Sequence, residues 1–419
     1  MTEQRRARER VPGARLRGRL VRLGVLGPAF IAAVAYVDPG NFATNFSAGA
    51  RHGYLLLWVI VAANVFGMIV QYLSVKLGTV TGRSLPELIR DTAPPWVTLG
   101  MWLQAEFIAI ATDLAELIGG ALALNMLVGM PMPAGVLAIG AVGLLVLMLS
   151  GTGRRRFEYA VIGFLAVILI GLGYGLVSAG MSVPDAAAGL VPRLPDESAV
   201  VLSAGILGAT LMPHVVYLHS GLPEAATPTE APETARALRR HRVNVVVAMT
   251  AAGVINAAML LMSAGLRIGG PDAVRAGGED LGRIFRVIES ISGPAAAIAF
   301  AVALLASGLA STSVGTFAGQ VIMDGFLHRR IHPAILRGVT LVPAMALVVA
   351  GMNATDALVL SQVVLSFGIP FAVIPLVWIT ARRRHMGAYR NAWALTAAAV
   401  VIAVGVIALN AYLVATLLD

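Results

Sequence analysis

Eleven runs of roughly 20 apolar residues, each bounded by charges, proline or glycine, constrain this chain more than any other feature. They lie near 24–47, 54–77, 98–128, 133–150, 158–180, 199–221, 243–266, 294–324, 334–351, 356–380 and 392–417. In lipid, backbone N–H and C=O groups must be satisfied within the segment, so the runs predict eleven transmembrane helices and an all-α membrane protein. With 58% hydrophobic and 13% charged residues in 419, the chain has too little polar surface for a soluble globule. The net charge of +9 is not a nucleic-acid footprint, because the arginines fall in short clusters between apolar runs. Cysteine is absent, which excludes a disulfide framework and a thiolate metal site.

Those clusters set the expected orientation. Residues 1–22 carry eight arginines, as a signal peptide's basic region would, but the first run continues to about Ser47 without a small-residue cleavage site, so a retained first helix is expected. With that tail in the cytoplasm, the inner segments hold 25 of the 31 lysines and arginines. An odd number of spans then places the carboxyl terminus on the extracytoplasmic side.

Two runs are interrupted by polar residues and proline: the first at Asp38-Pro39-Gly40-Asn41 and the sixth at Met212-Pro213-His214. The prolines and Gly40 are expected to break the helical ladder and free carbonyls, such as those of Ala35 and Ala209, beside a carboxylate, an amide and a thioether. The alternative is a kink in which Asp38 only caps the following half-helix. The breaks fall at equivalent places if 23–180 and 199–380 are two inverted five-helix repeats, followed by an eleventh helix in 391–419, and such paired breaks point to a midplane binding site. Oxygen and sulfur donors together favour Mn²⁺, Fe²⁺ or Cd²⁺ over Mg²⁺ and Ca²⁺. No phosphate-binding GxxxxGK[ST] loop occurs, so a gradient must drive transport.

Other polar residues within the runs are candidates for coupling. Glu106, Asp113 and Glu116 are spaced seven and three apart, on one helical stripe that reads as a proton relay or as partners of arginines. His214 titrates near physiological pH when unperturbed. Gln362 offers an amide oxygen to the metal or its water shell, and Arg337 a partner for an acid of the stripe. Asn64, Gln71, Asn256 and Asn410 read as interhelical hydrogen-bonding residues, and the Pro-rich stretch from Pro223 to Glu233 reads as a solvated linker.

The run from Ala35 to Thr44, which contains DPGN, and the runs Ala209 to His214 and Leu218-His219-Ser220 resemble the Nramp family, the natural resistance-associated macrophage proteins, in its bacterial proton-coupled manganese-transporting members. The resemblance covers the chain from about residue 24. It implies a LeuT-type fold in the bacterial inner membrane and import of Mn²⁺ or Fe²⁺, with tolerance for Cd²⁺ and Co²⁺. By position it implies Asp38, Asn41, Met212 and the carbonyls of Ala35 and Ala209 as metal ligands, with Gln362 joining in some states. It also implies Asp113, Glu116 and His214, together with Asp38, on the proton route. Relatives often carry two arginines where this chain has Arg337-Gly338, which shortens an acid-to-arginine relay. The magnesium-transporting branch lacks the methionine found here as Met212.

The expectation is therefore a proton-coupled importer working by alternating access, not an enzyme. No cofactor is expected, and the partners are the metal ion, protons and the bilayer. The sequence does not specify the oligomeric state; a monomer is expected. A sodium-coupled amino-acid carrier of the same fold has no use for a thioether, and an intramembrane metalloprotease would need HExxH, which is absent. An uncoupled metal channel fits the same residues.

Overall fold

The computed structural model describes residues 35–150, 154–222, 231–269, 280–329 and 333–418. The amino-terminal tail and the first half of the first run, with Arg5 to Arg22, lie outside the described residues. After the first break come α1 (Pro39–His52), α2 (Leu57–Thr81), α3 (Leu85–Thr92) and α4 (Pro95–Val128). These are followed by α5 (Met132–Ser150), α6 (Arg154–Ala179) and α7 (Val183–Ala188). The sixth run forms α8 (Glu197–Leu211) and α9 (Pro213–Gly221). Then come α10 (Ala231–Gly269), α11 (Leu281–Ser292), α12 (Pro294–Leu327) and α13 (Pro333–Val349). The chain ends with α14 (Ala354–Ala381), the single turn α15 (Arg383–Met386) and α16 (Trp393–Leu418).

Every run after the first coincides with a helix, or in the sixth with two half-helices. Among the described residues seven of these are long and apolar enough to cross a membrane, and α5, α6 and α13 contain shorter apolar helices. Hydropathy alone does not mark α3, α7 and α11, which lie between the runs. For α3 a local signal existed: the Ser84 side chain accepts from Glu87 N and the Glu87 side chain accepts from Ser84 N, a reciprocal cap that starts a helix. One expectation is corrected. The linker read as ending at Glu233 gives way to helix at Ala231, because Pro232 falls in the first turn of α10, where a missing N–H costs nothing; residues 223–230 lie outside the described residues.

Among the described residues the two interrupted segments are the most enclosed. Pro39 to Ala50 of α1 are all buried, as is 94% of the α8–α9 span, against 33% for α16 at the periphery. Around them α4 packs along α12, α10 against α1 and α2, and α14 against α8 and α4. The approach of α14 to α8 depends on Gly208. A Cβ built there would run into the carbonyl oxygen of Gln362 and lie 2.9 Å from Ser366 N. Backbone atoms cannot swing aside as a flexible side chain does, so Gly208→Ala must push α14 away, at a cost of about 1–3 kcal/mol typical of overpacking. The expected result is a melting temperature several degrees lower together with loss of transport; an unchanged melting curve would mean that α14 tolerates the displacement.

Candidate functional site

Both breaks are short. Ala35 is the last helical residue before the first, and Tyr36 to Asp38 are non-helical. Asp38 is extended, with φ −89° and ψ 169°, and Pro39 opens α1. The expectation that Gly40 helps to break the ladder is not met, since Gly40 lies inside α1. It serves instead as space, because a Cβ there would run into the side chain of Gln362. In the sixth run a single residue, Met212 with φ −18° and ψ 109°, separates α8 from α9, and Pro213 opens α9.

Breaking a helix strands carbonyls that must find donors. Tyr36 O accepts from Asn256 Nδ2 at 3.0 Å and Val37 O from Ser307 Oγ at 2.6 Å. The broken backbone is thereby pinned to α10 and α12.

Between the breaks, Asn41 Nδ2 donates to Asp38 Oδ1 at 2.6 Å and to Ala209 O at 3.2 Å, so one amide bridges the two interruptions. Asp38 Oδ1 also accepts from Asn41 N at 2.8 Å. Asp38 is thus a helix cap, but only through that oxygen. Its Oδ2 is buried with no hydrogen-bond partner, and so is Oε1 of Gln362, whose Nε2 donates to Ser361 Oγ at 3.1 Å. Asp38, Asn41, Met212, Ala35, Ala209 and Gln362 are all buried. An unsatisfied buried acceptor costs about 1–3 kcal/mol, and more when charged. The Gln362 side chain is pressed against Gly40, two residues from Asp38, so both partnerless oxygens belong to residues at the first break. Among the described residues no cluster of three or more His, Cys, Asp or Glu could hold a metal.

The acidic stripe lies on α4, which touches both breaks: a Cβ on Gly119 would run into Pro39, and Thr112 contacts His214. A Cβ built on Gly315 of α12 would stand 3.1 Å from Asp113 Oδ1 and 3.2 Å from Glu116 Oε1, so both carboxylates converge on one spot between α4 and α12. His214, two residues past Met212, has Nδ1 3.3 Å from Thr112 Oγ1. The Thr112 hydroxyl donates to Ile108 O at 3.0 Å, which leaves the imidazole as donor in that contact. Glu106 sits further along α4, half-buried. Arg337 belongs to α13, which packs on α4; its side chain lies outside the described residues.

Sequence reasoning missed Ser307, Thr112 and Gly208, small residues that look like helix filler until their neighbours are known. The interhelical residues were visible as polar atoms in apolar runs. Gln71 accepts from His219 Nδ1 at 2.7 Å and donates to the Tyr36 hydroxyl. Asn256 accepts from Asn45 Nδ2 at 3.1 Å, and Asn410 accepts from Ser366 Oγ at 2.8 Å. Asn64 departs from the pattern, since its Oδ1 is buried without a partner.

Comparison with known proteins places this geometry in a family context. The family model described as natural resistance-associated macrophage protein-like matches residues 29–416. The divalent metal cation transporter MntH of Deinococcus radiodurans is 48% identical over 97% of this chain and 94% of its own length. Its counterpart in Bacillus subtilis is 43% identical over 96% and 94%. A crystal structure of a mutant manganese transporter from Eremococcus coleocola superposes with a TM-score of 0.82 at 29% identity, covering 92% of this chain and 84% of that one. MhsT in complex with L-phenylalanine, at 15% identity and a TM-score of 0.64, shares the fold.

Proposed function

The chain belongs to the natural resistance-associated macrophage protein-like family, and from that premise we propose how its residues divide the work of transport. It is a proton-coupled secondary transporter of divalent metal ions, Mn²⁺ and Fe²⁺, a multi-pass protein of the bacterial inner membrane with a LeuT-type fold, and not an enzyme. Cd²⁺, which mixed oxygen and sulfur donors favour, and Co²⁺, which the family resemblance implies, are further cargo in this reading.

In this reading the ion enters between the two breaks. Asp38 supplies the charge through Oδ2, Met212 the sulfur, Ala35 and Ala209 their carbonyls, and Gln362 its Oε1. Asn41 turns its amide over to offer oxygen where its nitrogen now bridges Asp38 and Ala209. The observation that carries the reading is the pair of buried, partnerless oxygens on Asp38 and Gln362. Protons leave Asp38 by way of His214, Asp113 and Glu116, with Arg337 at the inner end of the route. The breaks support inverted repeats over 23–180 and 199–380, with 1–22 as a basic tail and 391–419 as an added helix. The clustering of 25 of 31 lysines and arginines on one side supports a cytoplasmic amino terminus and an extracytoplasmic carboxyl terminus.

Asp113→Asn tests the proton route. Its Oδ1 lies against Gly315 of α12 and it is not one of the proposed donors, so its loss leaves that donor set unchanged. Proton flux, followed by a luminal pH dye in vesicles, is expected to fall at least tenfold while Mn²⁺ uptake in the same vesicles falls much less. Equal loss of both signals would give Asp113 a structural role.

A further inference from the structure

At one end of α14 an apolar stripe meets a cluster of cations that the transport site does not use. Phe367, Phe371, Ile374 and Trp378 are all exposed, and their spacing of four, three and four aligns them along one face of the spanning helix. The stripe ends at Trp378, 42% exposed. Arg382 places its guanidinium carbon 3.9 Å from the centroid of the Trp378 ring, and the His385 ring lies 6.0 Å away. Arg383 and Arg384 follow, both exposed. Among the described residues none of these three arginines has a carboxylate partner. Asp91 on the neighbouring α3 is engaged by Arg83 and Arg90.

The turn that carries these arginines is fixed. Met386 is buried under it. Asn391, at its far end, donates through Nδ2 to Thr380 Oγ1 at 2.8 Å and through N to Thr380 O at 3.0 Å. The same Asn391 accepts from the buried Lys76 of α2 at 2.8 Å. A flexible linker would spread its charges to reduce repulsion, whereas here they are held together. His385 registers that crowding: burial first, then the charges of Arg384, Arg382 and Arg83, hold it below its ordinary range. A phosphate diester would relieve the crowding, since guanidinium groups take phosphate oxygens in pairs, and tryptophan favours the interface between chains and headgroups.

We propose that this corner is a binding site for one anionic phospholipid, with the headgroup phosphate on Arg382, Arg383 and Arg384 and an acyl chain along the stripe from Trp378 to Phe367. Arg236 and Arg239, exposed on α10, provide the contrast. They lie at the same end of the molecule, since Tyr389 Oη donates to Ala231 O at 2.8 Å, but Thr234 and Leu238 beside them are buried, and the exposed apolar residues that follow on α10, Val243, Val246, Val247 and Val254, include no aromatic ring.

The test reconstitutes the full-length protein in nanodiscs containing equal phosphatidylglycerol and phosphatidylcholine, extracts it in mild detergent and quantifies the retained lipids by mass spectrometry. The parent is expected to retain phosphatidylglycerol several-fold over phosphatidylcholine, and R382Q/R383Q/R384Q to return to the bulk ratio. R236Q/R239Q should keep the parent's preference. R384Q, a single change on an exposed residue, should lower the ratio part of the way and gives the same reading if the triple variant folds poorly. An unchanged preference in the triple variant or in R384Q, or an equal drop in R236Q/R239Q, would overturn the proposal. Metal binding is not read in this assay, so its outcome is independent of the transport site.

Discussion

Asp38→Ala is expected to abolish Mn²⁺ binding and uptake. Asp38 is the only proposed ligand with a formal charge, and its Oδ2 is a buried oxygen without a partner. At an effective dielectric of about 20, opposite unit charges ~4 Å apart attract by on the order of 4 kcal/mol. Losing that attraction raises the dissociation constant by at least about a thousandfold. The variant should still fold, because the deleted carboxylate is replaced by a small apolar group and the cap it gives α1 is worth only about 1 kcal/mol. Asn41→Ala gives the scale for comparison, since a neutral amide oxygen can be replaced by water. Calorimetric titration with Mn²⁺, alongside uptake into proteoliposomes, checks both. Binding by Asp38→Ala within tenfold of the parent would remove the charge from the site.

Met212→Ala is expected to change which ion wins rather than whether one binds. The Met212 backbone is the whole of the second break, and that geometry is set by Pro213 and by burial on all sides, so alanine leaves the break intact. What disappears is the thioether. Cd²⁺, the softest cargo, should lose affinity on the order of tenfold or more, while Mn²⁺ takes another water and changes less. Ca²⁺ and Mg²⁺ lose nothing and should begin to compete with Mn²⁺ for uptake. Competition at fixed membrane potential measures this, and an unchanged ratio of Ca²⁺ to Cd²⁺ transport would leave Met212 with only a packing role.

Much of the proposed site is legible in the sequence because lipid makes polar residues expensive. Asp38, Asn41 and Met212 stand out as chemistry with no business in an apolar run, and proline marks where backbone must open. Gln362 is visible for the same reason, and it does reach Gly40 and Gly208. What stays hidden is complementarity. Gly208 looks like any of 45 glycines until α14 is known to lie on it, and Ser307 gains meaning only because Val37 loses its helical partner across the break. Gly40 shows the opposite: next to proline it reads locally as a helix breaker, whereas the structure uses it for room beside Gln362. Spans were legible because twenty apolar residues have few alternatives, whereas α11, amphipathic and outside the runs, carries no such signal.

The most direct test of the metal centre uses the absence of cysteine. The chain has no Cys and 16 Met, so any sulfur bound to an ion must be a thioether. X-ray absorption at the Cd²⁺ edge, on the purified protein loaded with one equivalent of Cd²⁺, reads the donor atoms. The account predicts a shell of oxygen donors with a single sulfur in the parent, and a shell of oxygen alone in Met212→Ala. A parent shell without sulfur, or a sulfur that survives in Met212→Ala, would contradict a metal centre built from the two helix breaks.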